Sequence, residues 1–224
     1  MNSTEILQNL EKPKDNIIKT IQNIHDLRAG KYWRLRNPII ICAYYALGKT
    51  SFANRYWREF VVEDADAGKY AEIRDSSDHY IKNNPLYPYN YFNRINYLIY
   101  EDKYGKPIDV ILLSYSMSTI YTLRALLEDN FIYHMDDPYK EYIILMPNNT
   151  PNMHKIMMDR IKSRNPCSEV IESMDGKLNA INFTNKEIAK VDNHLMIVGS
   201  RPARLNPLGF NYIEYAIEKV YGNY

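Results

Sequence analysis

Apolar positions follow two patterns along the 224 residues. Short unbroken runs occur at Ile39–Cys42, Ile108–Ser114, Glu141–Pro147 and His194–Ser200, with a shorter one at Phe60–Val62. A run that is apolar at nearly every position suits a strand covered on both faces. Between these runs, apolar residues recur at spacings of three and four, the helical period. The helical segments are Thr50–Arg58, Tyr91–Asp102, Met117–Glu128, Met153–Ser163, Ser168–Lys177 and Tyr212–Tyr221. Near the N-terminus, Ile6, Leu7 and Leu10, then Ile17, Ile18, Ile21 and Ile24, carry the same spacing, and Pro13 separates two short helices. The stretch "SDHYIKNNPLYPYNYF" has no period, and Pro85 and Pro88 break any helix there, so it reads as irregular. Alternating strands and helices predict an α/β fold with a mainly parallel five-stranded sheet. Ligands of such sheets bind at the carboxyl ends of the strands.

One strand end carries a motif. In "IIICAYYALGKTSFA" the run Ile39–Cys42 leads through a loop into Gly48-Lys49-Thr50 and a predicted helix. The phosphate-binding loop G-x-x-x-x-G-K-[ST] has this strand–loop–helix setting, with Ala43 here in place of the first glycine. Gly48 lets backbone approach phosphate oxygens, Lys49 reaches the terminal phosphates, and Thr50 offers a hydroxyl to Mg²⁺. The helix N-terminus at Thr50 and Ser51 favours an anion. None of these roles falls on Ala43, so the loop Ala43, Ala46, Leu47, Gly48, Lys49, Thr50 and Ser51 is expected to bind ATP–Mg²⁺.

Acidic and basic residues add to the picture. Asp64 and Asp66 in "EDAD" are expected to follow the second strand directly, with both side chains on one side if the segment is extended. One would hold Mg²⁺ and the other would fix or deprotonate an acceptor hydroxyl; alternatively Asp66 caps a short helix. Arg160 and Arg164 share a helix face and could close over a triphosphate, or be a solvated face. Arg124 could reach the same cleft, or pair with Glu128.

Composition narrows the classes. Hydrophobic residues make up 46%, enough for a core, and the length suits one α/β domain with a small lid. A net charge of +1 gives no strong pull toward nucleic acid or membrane, while leaving room for a local basic groove. The two cysteines, Cys42 and Cys167, form no paired motif, which fits a reducing compartment. No apolar run has the length of a membrane span, and the polar N-terminus lacks a signal-peptide pattern, so a cytoplasmic location is expected. The five histidines show no metal-ligand spacing, and no G-x-S-x-G elbow is present.

Several segments together resemble a family of small P-loop kinase-like proteins, found mostly in bacteriophages and other viruses and similar to adenylate-kinase-type nucleotide kinases. The match lies in "AYYALGKTSFAN", "VVEDADAGKY", "NNPLYPYNYFNRI", "IDVILLSYSMSTIYTLRALLEDNFIYHM", "YIILMPNN" and "MMDRIKSRN", spanning about residues 38–180. The resemblance implies a P-loop three-layer sandwich with a helical lid at about 153–180; residues 1–30 and 182–224 lie outside it, and the domain is expected over 31–224 with a helical extension at 1–30. It implies Lys49 and Thr50 at the phosphates and metal, Asp66 near the acceptor, and Arg160 and Arg164 in the lid. Tyr45 and Ala46 depart from the Pro-Gly type loop centre, and 134–140 reads as an insertion. The expected activity is transfer of phosphate from ATP–Mg²⁺ to a nucleotide, with Asp64, Asp66 and Arg124 binding the acceptor, or to a nucleic-acid end; host cytoplasm would be the location if the protein is viral. The alternatives are an NTPase driving a conformational change and a kinase fold used for interaction. The termini would serve a homo-oligomer or a viral protein partner.

Overall fold

The computed structural model describes residues 14–26, 38–77, 79–100, 108–128, 142–163, 168–191, 195–199 and 211–222. Helix α1 covers 14–26. Then follow β1 (Ile39–Ala43), α2 (Lys49–Tyr56), β2 (Val62–Ala65), α3 (Gly68–Ala71), β3 (Glu72–Arg74), β4 (Tyr80–Asn83) and α4 (Tyr89–Tyr100). The chain continues with β5 (Val110–Ser114), α5 (Met117–Glu128), β6 (Tyr142–Pro147), α6 (Pro151–Lys162), α7 (Ser168–Asn179), α8 (Ile181–Val191), β7 (Leu195–Val198) and α9 (Tyr212–Tyr221).

The main sheet is five-stranded and all-parallel, in the order β2-β5-β1-β6-β7. Burial explains the order. β1 and β6 are buried at every position, and β5 at all but its last. β2 and β7 are only partly buried, as edge strands with one neighbour are. The connection leaving β1 runs past β5 to β2, while the one leaving β5 runs past β1 to β6. Right-handed crossovers place those two connections on opposite faces. Alternation along β2 agrees: Glu63 reaches Arg94 on α4, and Asp64 reaches Thr50 on α2.

Three predicted features change. The second strand is Val62–Ala65, so Asp64 lies inside it, and only Asp66 follows it. An edge strand tolerates such residues because each carboxylate finds a partner across a half-buried surface. The "irregular" stretch contains β4, which pairs antiparallel with β3. Every β4 residue is exposed, so no burial period marked it. Helix α8 was not anticipated: Ile181 and Ile188 are buried, but Asn185 is buried between them and interrupts the apolar spacing.

The flanking helices join the core. Ile17, Ile21 and Ile24 of α1, and Tyr212, Ile213, Ala216, Ile217 and Tyr221 of α9, lie in the same buried cluster as the sheet. The N-terminal part of the first predicted helix pair lies outside the described residues, as does the expected boundary near residue 30. Among the described residues, no helix is long and apolar enough to cross a membrane.

Candidate active site

Strand register sets the site. Ala43 at the end of β1 pairs with Ser114 at the end of β5, and Ala65 pairs with Leu113. Asp66 therefore emerges level with Ser114, beside the loop that follows Ala43. The Ser114 hydroxyl donates to Asp66 Oδ1 at 3.1 Å.

The loop from Tyr44 to Gly48 is pinned at its base. Tyr115 N–H donates to the Ala43 carbonyl at 3.0 Å, and Tyr44 N–H donates to the Leu145 carbonyl at 2.9 Å. Tyr44, Ala46 and Leu47 are buried, and Tyr45 is half-buried. The bulky centre of the loop thus packs largely inward. Gly48 has φ +98°, a left-handed conformation that glycine adopts without strain, and it hands the chain to α2. Ala46 is also left-handed, at φ +60°, where a Cβ costs about 1–2 kcal/mol. The strain falls at the departure from the glycine-containing loop noted in the sequence.

Lys49 is buried and directs Nζ back to the Ala43 carbonyl at 3.5 Å. Its charge also reaches Asp66. Burial on its own raises the Asp66 pKa. The Gly68 N–H, the Lys49 charge, the Ser114 hydroxyl and Lys69 outweigh that and hold the carboxyl below its usual range. Asp66 Oδ1 accepts both the Ser114 hydroxyl and, at 3.0 Å, the Gly68 N–H at the start of α3. The N-cap of α3 is Ala67, without a side-chain cap bond, so Asp66 closes a turn just before the helix and does not cap it.

Thr50 is exposed, and its hydroxyl donates to Asp64 Oδ2 at 2.8 Å. Asp64 Oδ1 is buried and has no hydrogen-bond partner among the described residues. A buried carboxylate oxygen without a donor is costly. Beside a hydroxyl it is a suitable ligand pair for a hard cation.

Arg160 lies on α6, donates from Nη1 to the Ala46 carbonyl at 2.9 Å, and sits over the Tyr212 ring at 5.2 Å. The structure therefore brings Arg160 to the loop. Arg164, the other arginine of the proposed lid, lies outside the described residues. Within the 153–180 segment, His154 on α6 contacts Asp175 on α7 at 2.7 Å. Arg124 is half-buried on α5, seven residues beyond Met117. Ser51 is exposed in the first turn of α2.

Sequence reasoning missed three supporting residues. Tyr91 is buried; its hydroxyl donates to the Ala65 carbonyl and accepts the Ser114 N–H, each at 3.1 Å, which fixes the strand ends carrying Asp66 and Ser114. Ser114 itself marks only the end of an apolar run in the sequence. Asn211, more than 160 residues from the loop, donates to the Gly48 carbonyl. Its capping role could have been read from Asn211-x-x-Glu214, but not its reach to the loop.

No family model, curated protein or solved structure matches the chain.

Proposed function

We propose that this protein is an ATP–Mg²⁺-dependent phosphotransferase built as a P-loop three-layer sandwich, acting on a nucleoside monophosphate or, as a second acceptor class, a nucleic-acid end. The observation that carries the reading is the convergence at the carboxyl end of the parallel sheet of Gly48 in the left-handed conformation, Lys49, the Thr50–Asp64 pair with its orphaned buried oxygen, and Asp66. The resemblance to kinase-like viral proteins supports it through the same residues.

In this reading the loop amides and Lys49 bind the phosphates, and Thr50 and Asp64 hold the magnesium. The metal, when bound, neutralises phosphate charge. Asp66 stays ionised through its donors, and both of its bonds fall on Oδ1, which leaves Oδ2 to orient an acceptor hydroxyl. Arg160, with Arg164 beyond it, lies on the segment proposed to close as a lid at 153–180; closure would exclude water that otherwise hydrolyses ATP. Arg124 is proposed at the acceptor. A cytoplasmic location and partners docking through the termini belong to the same proposal.

The test is a thermal-shift screen with ATP–Mg²⁺, followed by product analysis with nucleoside monophosphates and short oligonucleotides. A ligand at about 100 times its Kd stabilises the native state by about 2.7 kcal/mol. Phosphorylated acceptor with ADP establishes the kinase. ADP with free phosphate and no acceptor product establishes an NTPase instead. No melting shift and no turnover would reject nucleotide chemistry.

A further inference from the structure

The phosphate loop is held from behind by a residue that its own motif does not contain. Asn211 is buried at the start of α9. Its Oδ1 accepts the Ile213 N–H at 2.9 Å, capping that helix. This fixes which end of the amide faces the loop: Nδ2 donates to the Gly48 carbonyl at 3.0 Å. The same carbonyl accepts the Phe52 N–H at 2.9 Å, the first bond within α2.

A trans peptide is planar, so its carbonyl and the following N–H point in opposite directions. Holding the Gly48 carbonyl toward Asn211 therefore turns the Lys49 N–H away from it. Arg160 does the same two residues earlier: its bond to the Ala46 carbonyl turns the Leu47 N–H away from the arginine. The two pinned carbonyls, Ala46 and Gly48, alternate along the loop, and each leaves the amide that follows it, Leu47 N–H or Lys49 N–H, aimed away from its anchor and open to an anion. The fit around Gly48 is close. A Cβ added there would lie 2.9 Å from Asn211 Oδ1 and 3.1 Å from its Cγ.

We propose that Asn211 is a positioning residue for nucleotide binding: it fixes the Gly48–Lys49 peptide so that the loop is pre-shaped for a polyphosphate. The C-terminal helix then belongs to the binding site, although it contributes no group to the phosphate motif. The inference rests on the ATP reading above and deepens it. Preorganisation of this kind acts on affinity by reducing what must be ordered on binding.

The test compares Asn211→Ser and Asn211→Ala with wild type, in titrations of a fluorescent ATP analogue with Mg²⁺ and in thermal melts without nucleotide. Serine caps a helix as well as asparagine does but is too short to keep the bond to Gly48; alanine loses both functions. Both variants should bind the analogue about 5-fold more weakly, the worth of one ordinary hydrogen bond, while only the alanine variant also loses the cap and melts lower still. Affinity would then follow the loop bond and not stability. Wild-type affinity in Asn211→Ser, or affinity loss confined to Asn211→Ala, would overturn the positioning role and leave the ATP reading standing. Failure of the wild-type protein itself to bind the analogue would overturn both.

Discussion

Asp64→Asn separates a metal site from a merely structural pair. The substitution keeps shape and removes one charge. The Thr50 hydroxyl can still donate to the Asn oxygen, but a charge-assisted bond, worth about 1.5–3 kcal/mol, becomes a neutral one of about 0.5–1.5 kcal/mol. Against that loss, the buried carboxylate oxygen that lacks a donor is no longer charged. The amide nitrogen that takes its place still lacks a partner, but an unpartnered neutral group costs less than a charged one, by on the order of 1 kcal/mol. The two terms oppose each other, so net stability should change by no more than about 1 kcal/mol, or about 2–4 °C in melting temperature for a chain of this size. Metal affinity should respond far more: disturbing a metal's supporting ligands typically costs about 10–100-fold. The assay is ATP affinity measured with magnesium and with a chelator, for both proteins. Wild type should bind much more tightly with magnesium, and Asp64→Asn should show little difference between the two conditions. A variant that keeps the wild-type magnesium dependence would refute the assignment of the orphaned oxygen to the metal.

Other residues give further outcomes. Asp66 has a depressed pKa in the folded state, so its stabilising contribution is present above the ordinary carboxylate value of about 3.9 and is lost as pH falls through the lower folded value. Asp66→Asn should therefore melt below wild type at about pH 7, with the gap closing in strong acid, and a gap independent of pH would refute the depressed pKa. The Tyr44 hydroxyl is buried without a partner among the described residues, and burial pushes its pKa up to about 12. Tyr44→Phe should leave stability unchanged or raise it by about 1 kcal/mol, and a clear fall in melting temperature would show that the hydroxyl has a partner. In hydrogen exchange, residues 153–163 and 168–180 should gain protection when an ATP analogue binds, and equal protection with and without it would argue against a closing lid.

The sequence pattern revealed the centre of the fold better than its margins, for a physical reason. β1, β5 and β6 are covered on both faces, so nearly every position must be apolar, and the runs stand out. β2 sits at an edge and carries Glu63 and Asp64 within it, which moved its apparent end. The exposed hairpin strand β4 and the Asn185-interrupted α8 left no clear period. The loop was legible because Gly48-Lys49-Thr50 is a local string in a local setting. The contacts of Asn211, Arg160 and Tyr91 were not, because each joins segments far apart in sequence through backbone carbonyls or amides, which every residue possesses.

Transfer of labelled phosphate is the most direct measurement. Wild type and Lys49→Ala are each incubated with ATP carrying a labelled γ-phosphate, magnesium and a pool of nucleoside monophosphates and oligonucleotides. The Ala43 carbonyl, which accepts from Lys49, also accepts the Tyr115 N–H, so the variant should remain folded. The account predicts label on an acceptor with wild type and none above background with Lys49→Ala. Equal transfer by both proteins, or no transfer by wild type to any member of the pool, would contradict it.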